Sequence, residues 1–200
     1  VFEIGPILNK KIINYTNKQK NKNVFSILVM GGSQGAKIFG NIVPDVIKSL
    51  NDQVEKIQIY QQCVKGQQEE ISNFYKRNNI KNYVFEFDKN ILELILSSDL
   101  AITRCGASST AELTQTLTPF IAIPLPDSID NHQYLNAKYY ENKECCWIME
   151  QKNFSSKNLF NLIEEIVKNK NKLENIRENM KKISSKNVYN DIENRIKELI

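Results

Sequence analysis

Short apolar runs alternate with amphipathic stretches along most of the chain. The apolar runs are VFSILVM (24–30), KIQIY (56–60), NYVFEF (82–87), LAIT (100–103), FIAIP (120–124) and CCWIM (145–149). The stretches 36–50, 66–78, 91–97, 109–117 and 131–142 have a helical period, and a helical tail from residue 155 onward has a predicted break at 184–187. Strands that are apolar on both sides and alternate with helices predict an α/β fold, in which a parallel six-stranded sheet carries helices on both faces.

The two ends of the chain read differently from this core. Residues 1–22 end in the polar stretch NKQKNKN and are predicted to be a lead-in from an upstream domain, so the core domain spans 23–186. Residues 187–200 form a predicted helix with one apolar stripe, at Val188, Ile192, Ile196 and Leu199. The stripe docks either on its own domain or, as we expect, toward an N-terminal one. Because the chain begins without methionine, we expect a fragment or a trimmed start.

Composition and charge exclude several classes of function. The chain has 200 residues, 41% hydrophobic and 25% charged, with a formal net charge of +4. Its lysines are scattered among glutamates, which argues against nucleic acid as a partner and against a polybasic membrane anchor. There is no apolar run near the length of a membrane span and no secretion signal. Four cysteines without a CxxC pair, beside one histidine, argue against zinc and favour reduced thiols in a cytosol.

Polar loops follow four of the predicted strands. They are GGSQG, DKN, RCGASS and PLPDSIDNHQ. In an open parallel sheet the ligand crevice lies beyond the carboxyl ends of the strands. The four loops are therefore expected to converge on one edge.

The first loop, GGSQGAK (31–37), turns directly from strand into helix. Glycine permits a tight turn and close approach of an anion to backbone amides, and a helix start carries partial positive charge. A phosphate fits such a loop. The pattern is neither GxGxxG nor a Walker loop, so a purely structural turn remains the alternative.

The stretch TRCGASSTAEL (103–113) also has two interpretations. Ser109 and Glu112 have the spacing of a capping box, in which hydroxyl and carboxylate satisfy amides at a helix start. Yet Ser108, Ser109 and Thr110 offer more donors than one helix end uses. A diphosphate and a ribose diol would use them, with Glu112 accepting hydrogen bonds from the diol.

A third cluster lies at the start of the next helix, in DNHQYLNA (130–137). Gln133 and Asn136 stand three residues apart, so both can face one hexose. His132 is the single histidine, and a structural role for it is the alternative to chemistry. No nucleophilic triad and no metal site can be assembled around it.

The segments ILVMGGSQGAK, SDLAITRCGASSTAEL, PFIAIPLP and DNHQYLNAKYY, in this order and spacing, resemble the C-terminal half of the MurG family. That family transfers N-acetylglucosamine from UDP-GlcNAc to a lipid-linked muramyl pentapeptide in peptidoglycan synthesis. The resemblance, from residue 24 to the end, implies a GT-B fold made of two Rossmann-like domains. This chain would be the donor-binding one.

The resemblance also implies roles for individual residues. Ser33, with Gly32 and Gln34, would contact the diphosphate, and Phe87 and Asp88 would meet the uracil through backbone atoms. The loop from Arg104 and the helix start Ala107, Ser108, Ser109, Thr110 and Ala111 would line the phosphates and ribose. Glu112 would hold the ribose hydroxyls. Gln133, with Asn136 and His132, would bind the sugar.

The implied reaction is an inverting transfer that needs no metal and no cofactor. The general base and the surface for the undecaprenyl-linked acceptor would belong to an N-terminal domain or a separate chain. No residue of this chain would then be catalytic, and the enzyme would work at the inner face of the bacterial plasma membrane, from the cytoplasmic side.

Two departures weaken the resemblance. IGPIL places Leu8 where the family has an arginine, and Asp88 stands where an apolar residue is common. Three alternatives are therefore kept: the free-standing donor subunit of a two-chain transferase, a non-catalytic remnant, and a dinucleotide-binding dehydrogenase. The last is disfavoured because GxGxxG and an acidic end to the second strand are lacking.

Overall fold

The computed structural model describes residue 12, residues 24–32 and 36–184, and residues 193–194 and 196–198. Leu8, Ser33, Gln34 and the greater part of the predicted lead-in 1–22 and of the predicted helix 187–200 lie outside the described residues. Within 1–22, Ile12 is buried against Ala111 and Leu92. Within the apolar stripe, Ile196 is half exposed.

The strands and helices alternate as the apolar pattern predicts. The strands are β1 (Phe25–Met30), β2 (Ile57–Gln62), β3 (Lys81–Phe85), β4 (Leu100–Thr103), β5 (Phe120–Ala122) and β6 (Cys146–Ile148). The helices within 36–184 are α1 (Lys37–Gln53), α2 (Gln68–Arg77), α3 (Ile91–Ser97), α4 (Ala107–Gln115), α5 (His132–Glu141), α6 (Ser156–Lys168) and α7 (Lys170–Ile183). Single 3-10 turns at Ile129–Asn131 and Gln151–Asn153 precede α5 and α6.

The strands form one parallel sheet in the order β3-β2-β1-β4-β5-β6. The order reverses between β1 and β4, where Met30 pairs with Thr103. In sheets of this kind the crevice at the reversal point, beyond the carboxyl ends of the strands, is where ligands bind. The predicted six-stranded Rossmann-like sheet is thus confirmed, and its topology selects the loops after β1 and β4 as the centre of any site.

Helices cover both faces of the sheet, as predicted. On one face Ile27, Val29 and Ile59 pack against apolar residues of α1, α2 and α6. On the other, Leu28, Ala101 and Phe120 pack against residues of α3, α4, α5 and α7. Removal of these side chains from water is the main stabilising term, and it leaves the polar loops at the strand ends outside the core.

Several helix boundaries differ from the pattern, among them the following two. The helix after β4 begins at Ala107, two residues before the predicted start. The tail is interrupted at Asn169, whose non-helical backbone (φ −117°, ψ 81°) separates α6 from α7. Hydrophobic period does not detect this break because both helices keep an apolar face toward the sheet.

Candidate functional site

The loops after β1 and β4 leave the sheet side by side. The amide of Arg104 donates to the carbonyl of Met30 at 3.1 Å, which extends the pairing of the two strands to their carboxyl ends. The amide of Ile123 likewise donates to Thr103 at 2.8 Å and joins the end of β5 to β4. Three of the four polar loops that the sequence predicts at one edge therefore meet there.

The glycine loop after β1 is described as far as Gly32. Gly32 has a φ of +82°, a conformation that glycine adopts without strain. A Cβ added there would have nothing within 4 Å, so the glycine serves the backbone path and leaves open space above it. The predicted phosphate contacts at Ser33 and Gln34 lie outside the described residues and stay predictions.

The start of α4 carries no side-chain cap. Its N-cap is Gly106, in an extended conformation (φ −64°, ψ 143°), and no side chain of the described residues caps the helix start. The capping box predicted as one alternative is wrong, because Ser109 is the third residue of the helix and not its cap. Helix N-termini with unbonded amides and partial positive charge bind anions. Ala107 and Ser108 at this end are exposed.

The side chains of Thr110 and Ala111 turn away from the crevice. The Thr110 hydroxyl is fully buried and donates to the carbonyls of Gly106 at 3.1 Å and Ala107 at 3.2 Å. Ala111 is buried against Ile12. The expectation that Ala107 to Ala111 line a ligand stays a prediction, and Thr110 and Ala111 could contribute to it only through their backbone atoms, because their side chains are buried.

Glu112 is a half-buried carboxylate on the same face of α4 as Ser108 and Ser109, four and three residues before it. Burial raises the pKa of its carboxyl, and no hydrogen bond or charge from another described residue offsets that effect. An ionised carboxylate that loses water without gaining a partner destabilises the fold. Hydroxyl groups of a ligand could supply the hydrogen bonds that it lacks.

Gln133 and Asn136 both bind the backbone of Cys105. The Gln133 Oε1 atom accepts from the Cys105 amide at 3.1 Å and from the Leu125 amide at 3.1 Å. The Asn136 Nδ2 atom donates to the Cys105 carbonyl at 3.0 Å. The two predicted sugar-binding residues thus hold the β4 and β5 loops together. Their remaining atoms, Gln133 Nε2 and Asn136 Oδ1, have no hydrogen-bond partner among the described residues and are the ones left for a ligand.

His132 begins α5 after two residues with positive φ, Asp130 at 50° and Asn131 at 55°. Its Nδ1 atom lies 2.7 Å from the Ile129 carbonyl oxygen. Because a carbonyl only accepts, Nδ1 carries the proton of this bond and Nε2 of the neutral ring is an acceptor. His132 is exposed, so the structure gives its ring a local bond and an outward-facing acceptor.

Arg104 is a buried cross-link, although we expected it at the ligand. Its Nη1 atom donates to the carbonyls of Ile123 and Pro124, each at 3.1 Å, and Nη2 donates to Gln151 Oε1 at 2.6 Å. The guanidinium also lies 5.0 Å from the centre of the Phe39 ring. With 8% of the residue exposed, these bonds join the ends of β4, β5 and β6. Burial lowers the pKa of Arg104 from its usual value.

The loop after β3 contains Phe87 and Asp88, the predicted uracil contacts. Phe87 is 82% exposed. The Asp88 carboxylate accepts from the Tyr83 hydroxyl at 3.0 Å and from the Asn90 amide at 2.7 Å. Asp88 therefore shapes its own loop with its side chain, which is compatible with a ligand contact made only through the backbone.

Gln62 and Gln151 are site-edge residues that sequence reasoning missed. Gln62 accepts from the Gly31 amide at 3.0 Å and donates to the Glu86 carbonyl at 3.1 Å. The signal was present, since IYQQC ends an apolar strand in two amides at the functional edge. The end of this strand is used in the sequence analysis only to show that it lacks the acidic residue of a dehydrogenase.

A cleft of about 260 Å³ opens at the carboxyl ends of β5 and β6. It is lined by Pro124, Leu125, Pro126, Asn131, Tyr134, Glu150, Gln151 and Lys152. Gln133 is a neighbour of this cleft, because its Oε1 atom accepts from the amide of Leu125, one of the lining residues.

The described residues contain neither a metal-binding cluster nor a reactive thiol. Among them no group of three or more His, Cys, Asp or Glu side chains could hold a metal ion. Cys63, Cys105, Cys145 and Cys146 are buried and unpaired with one another. Burial raises the pKa of Cys105 to about 12 and that of Cys145 to about 11, so these thiols are poor nucleophiles. No helix of the described residues is long and apolar enough to cross a membrane.

Comparison with known proteins gives a family. The model of the glycosyltransferase family 28 C-terminal domain matches residues 26–196. The chain is 39% identical over 202 residues to the UDP-N-acetylglucosamine–N-acetylmuramyl-(pentapeptide) pyrophosphoryl-undecaprenol N-acetylglucosamine transferase of Rickettsia bellii, covering 98% of this chain and 56% of the relative. It is 38% identical to the same-named enzyme of Pelagibacter ubique, covering 89% and 50%. The chain thus spans about half the length of these curated relatives.

Solved structures agree on the fold. The crystal structure of Acinetobacter baumannii MurG superposes with a TM-score of 0.80 at 24% identity, over 94% of this chain and 55% of that one. A kitacinnamycin glycotransferase superposes with a TM-score of 0.66 at 16% identity, over 96% of this chain and 48% of that one. From the match over 26–196 and the shared architecture, the chain belongs to glycosyltransferase family 28, as a C-terminal domain of that family.

Proposed function

We propose that this chain binds the UDP-GlcNAc donor of a MurG-type transferase. The single observation that carries the proposal is Glu112, a half-buried carboxylate with a raised pKa and no partner among the described residues. It stands one turn from an uncapped helix start at the reversal point of the sheet. A ribose diol beside a diphosphate supplies the hydroxyls and the negative charge that this pair of features lacks.

Each part of the donor has a matching group at the edge. The diphosphate lies over the first turn of α4 and the glycine loop, and the uracil meets the backbone at Phe87 and Asp88. The sugar is held by Gln133 Nε2 and Asn136 Oδ1, with His132 Nε2 at the rim. Support for this order comes from the strand arrangement, in which β3, β1, β4 and β5 present these loops along one edge.

The reaction we propose is inverting transfer of N-acetylglucosamine to an undecaprenyl-linked muramyl pentapeptide. An acceptor hydroxyl attacks the anomeric carbon while fixed donors at the α4 end stabilise the departing UDP. Helix amides carry this task in the proposal, so no metal is required. The general base and the lipid surface belong to the half of the relatives that this chain does not span, and the work is done at the cytoplasmic face of the plasma membrane.

Calorimetric titration of the chain tests donor binding. UDP-GlcNAc and UDP are expected to bind, UDP-glucose to bind more weakly, and NAD not to bind. The same affinity in EDTA and in Mg²⁺ is expected for a metal-independent site. Binding of NAD in preference to UDP-GlcNAc, or no binding of UDP, overturns the proposal and favours the dehydrogenase or remnant alternative.

Reconstitution tests the reaction. The N-terminal half of the Rickettsia bellii relative, expressed separately, is mixed with this chain, UDP-[¹⁴C]GlcNAc and the lipid-linked acceptor in vesicles. Labelled lipid is expected only when both halves are present. Transfer by this chain alone would contradict the placement of the base outside it.

A further inference from the structure

The side chain of Gln62 joins two loops that the proposed function assigns to opposite ends of the nucleotide. Its Oε1 atom accepts from the amide of Gly31, the first residue of the glycine loop, at 3.0 Å. Its Nε2 atom donates to the carbonyl of Glu86, directly before Phe87, at 3.1 Å. One amide group therefore bridges the diphosphate loop and the uracil loop.

The position follows from the sheet. β2 lies between β1 and β3, and Gln62 is its last residue, level with Phe85 of β3. The backbone bond from the Cys63 amide to the Phe85 carbonyl, at 2.8 Å, holds the two strand ends together beneath it. A side chain that reaches both neighbours must accept on one side and donate on the other. Glutamine does so at this length, whereas glutamate lacks the donor and methionine lacks both groups.

Glu86 is held a second time by its side chain. Its Oε1 atom accepts from the Gly66 amide at 3.2 Å. The start of the uracil loop is thus tied to the loop after β2 by the carboxylate and to the loop after β1 by the carbonyl. In the described part of the chain, the Gln62 amide is the side-chain hydrogen-bond link between Glu86 and the glycine loop.

Use of the Gly31 amide by Gln62 also limits what that amide can do. A hydrogen already donated to a side chain is not available to a phosphate oxygen. The glycine loop therefore enters the site with its first residue fixed, and anion contacts fall to later amides and to the α4 start.

We propose that Gln62 is a positioning residue that sets the span between the diphosphate loop and the uracil loop. It touches no ligand in this scheme, and the inference rests on the proposed function. Its signature is a selective loss of affinity for ligands that contact both loops. A ligand that contacts one loop should be little affected.

The test compares Gln62→Met and Gln62→Glu with Gln58→Met. Gln58 lies on the same strand and the same face, four residues earlier, and donates to Tyr60 at 2.7 Å, away from the crevice. Binding of UDP is measured by calorimetry and binding of uridine by NMR titration, with thermal melting of every variant.

Gln62→Met is expected to weaken UDP binding about tenfold, because two hydrogen bonds that order the loops are lost. Uridine binding should change by less than about twofold, since of these two loops uridine contacts only the uracil loop. Gln62→Glu keeps an acceptor for the Gly31 amide but sets a carboxylate against the Glu86 carbonyl and beside the diphosphate loop, so it should bind UDP no more tightly than Gln62→Met does. Gln58→Met should bind UDP as the wild type does.

Equal losses for UDP and uridine, or the same loss in Gln58→Met, would assign Gln62 a general structural role and overturn the inference. UDP binding unchanged in a folded Gln62→Met would overturn it as well. Should Gln62→Met fail to fold, the same comparison is made with Gln62→Ala, which adds no charge beside the diphosphate loop, and an unchanged UDP to uridine ratio is then the contrary result. If the wild-type chain binds no UDP, the proposed function fails first, and this inference fails with it.

Discussion

The Oε1 atom of Gln133 lies 3.1 Å from the backbone nitrogen of Cys105 and accepts its hydrogen bond across 28 positions of sequence. The same oxygen accepts from Leu125. One side-chain atom at the start of α5 thereby fixes the loops after β4 and β5, while the other, Nε2, remains for a ligand. One atom of this residue thus has a scaffolding role, and the proposed function gives recognition to the other.

Gln133→Glu and Gln133→Ala separate the two roles. Glutamate keeps an acceptor for both amides and loses the Nε2 donor, so its stability should stay near wild type, whereas alanine should lose about 1–2 kcal/mol. Gln133→Glu should weaken UDP-GlcNAc binding and leave UDP binding unchanged. Thermal melting and calorimetry give both readouts. Wild-type affinity for UDP-GlcNAc in Gln133→Glu would mean that this side chain is scaffold only.

Glu112→Gln should weaken UDP-GlcNAc binding by about 1–3 kcal/mol, because a charged acceptor for the ribose is lost. The melting temperature should hold or rise, since a neutral amide is less destabilised by burial. Calorimetry beside thermal melting measures both, with Glu178→Gln, an exposed carboxylate on α7, as the control.

The pH dependence of stability provides a further check on Glu112. Its folded pKa lies above the unfolded one, so the carboxyl destabilises the fold when ionised. That penalty is relieved as the pH falls through the folded pKa. The free energy of unfolding of Glu112→Gln should lack this pH-dependent contribution. A lower melting point of Glu112→Gln with unchanged affinity for UDP-GlcNAc would contradict the assignment of Glu112 to the ribose.

Arg104→Met and Arg104→Lys should both lower the free energy of unfolding, by about 2–4 kcal/mol, because buried carbonyls of the β5 loop lose their donors. Lysine keeps the charge but not the planar fork that reaches several acceptors. Urea denaturation measures the change. Lys152→Met is the matched control, because this side chain is 72% exposed and lines the cleft at the carboxyl ends of β5 and β6. Its free energy of unfolding should stay within about 0.5 kcal/mol of the wild-type value.

Cys105 should make stability fall in alkali. Its pKa rises from 9.0 to about 12 in the folded chain, chiefly through burial, so above pH 9 the unfolded thiol ionises and the folded one does not. Stability is therefore lost as the pH rises through the unfolded pKa. From pH 7 to 10 the wild type should lose about 1.4 kcal/mol more than Cys105→Ala. The free energy of unfolding is measured by urea denaturation at the two pH values. If the wild type and Cys105→Ala lose the same amount between them, the Cys105 thiol is open to solvent.

The strands could be predicted because apolar side chains record burial on both faces of a sheet. Their ends could not always be placed. β2 runs to Gln62, two residues past the apolar run, because Gln61 is buried and bonds to Tyr75 and to the Phe39 carbonyl. Hydrogen-bond partners of this kind cannot be identified from the hydropathy of the sequence.

The site divides in the same way. Loops at the strand ends could be located by a rule of topology, and they do meet at one edge. Which atoms stay available for a ligand depends on bonds between distant positions, such as those of Arg104 to the β5 loop or of Asn136 to Cys105. The capping-box prediction is wrong for a local reason. The N-cap is Gly106, so Ser109 lies inside the helix and not at its start.

The central pairing of β1 with β4 has a consequence for biogenesis. Ser26, at the start of β1, donates its amide to Asp99 across 73 positions, so the two walls of the crevice are far apart in order of synthesis. The β1–β2–β3 unit is synthesised before β4, and closure of so long a loop is a slow step. Capacity to bind a nucleotide should therefore emerge last during maturation, which makes ligand capture a readout of the finished domain.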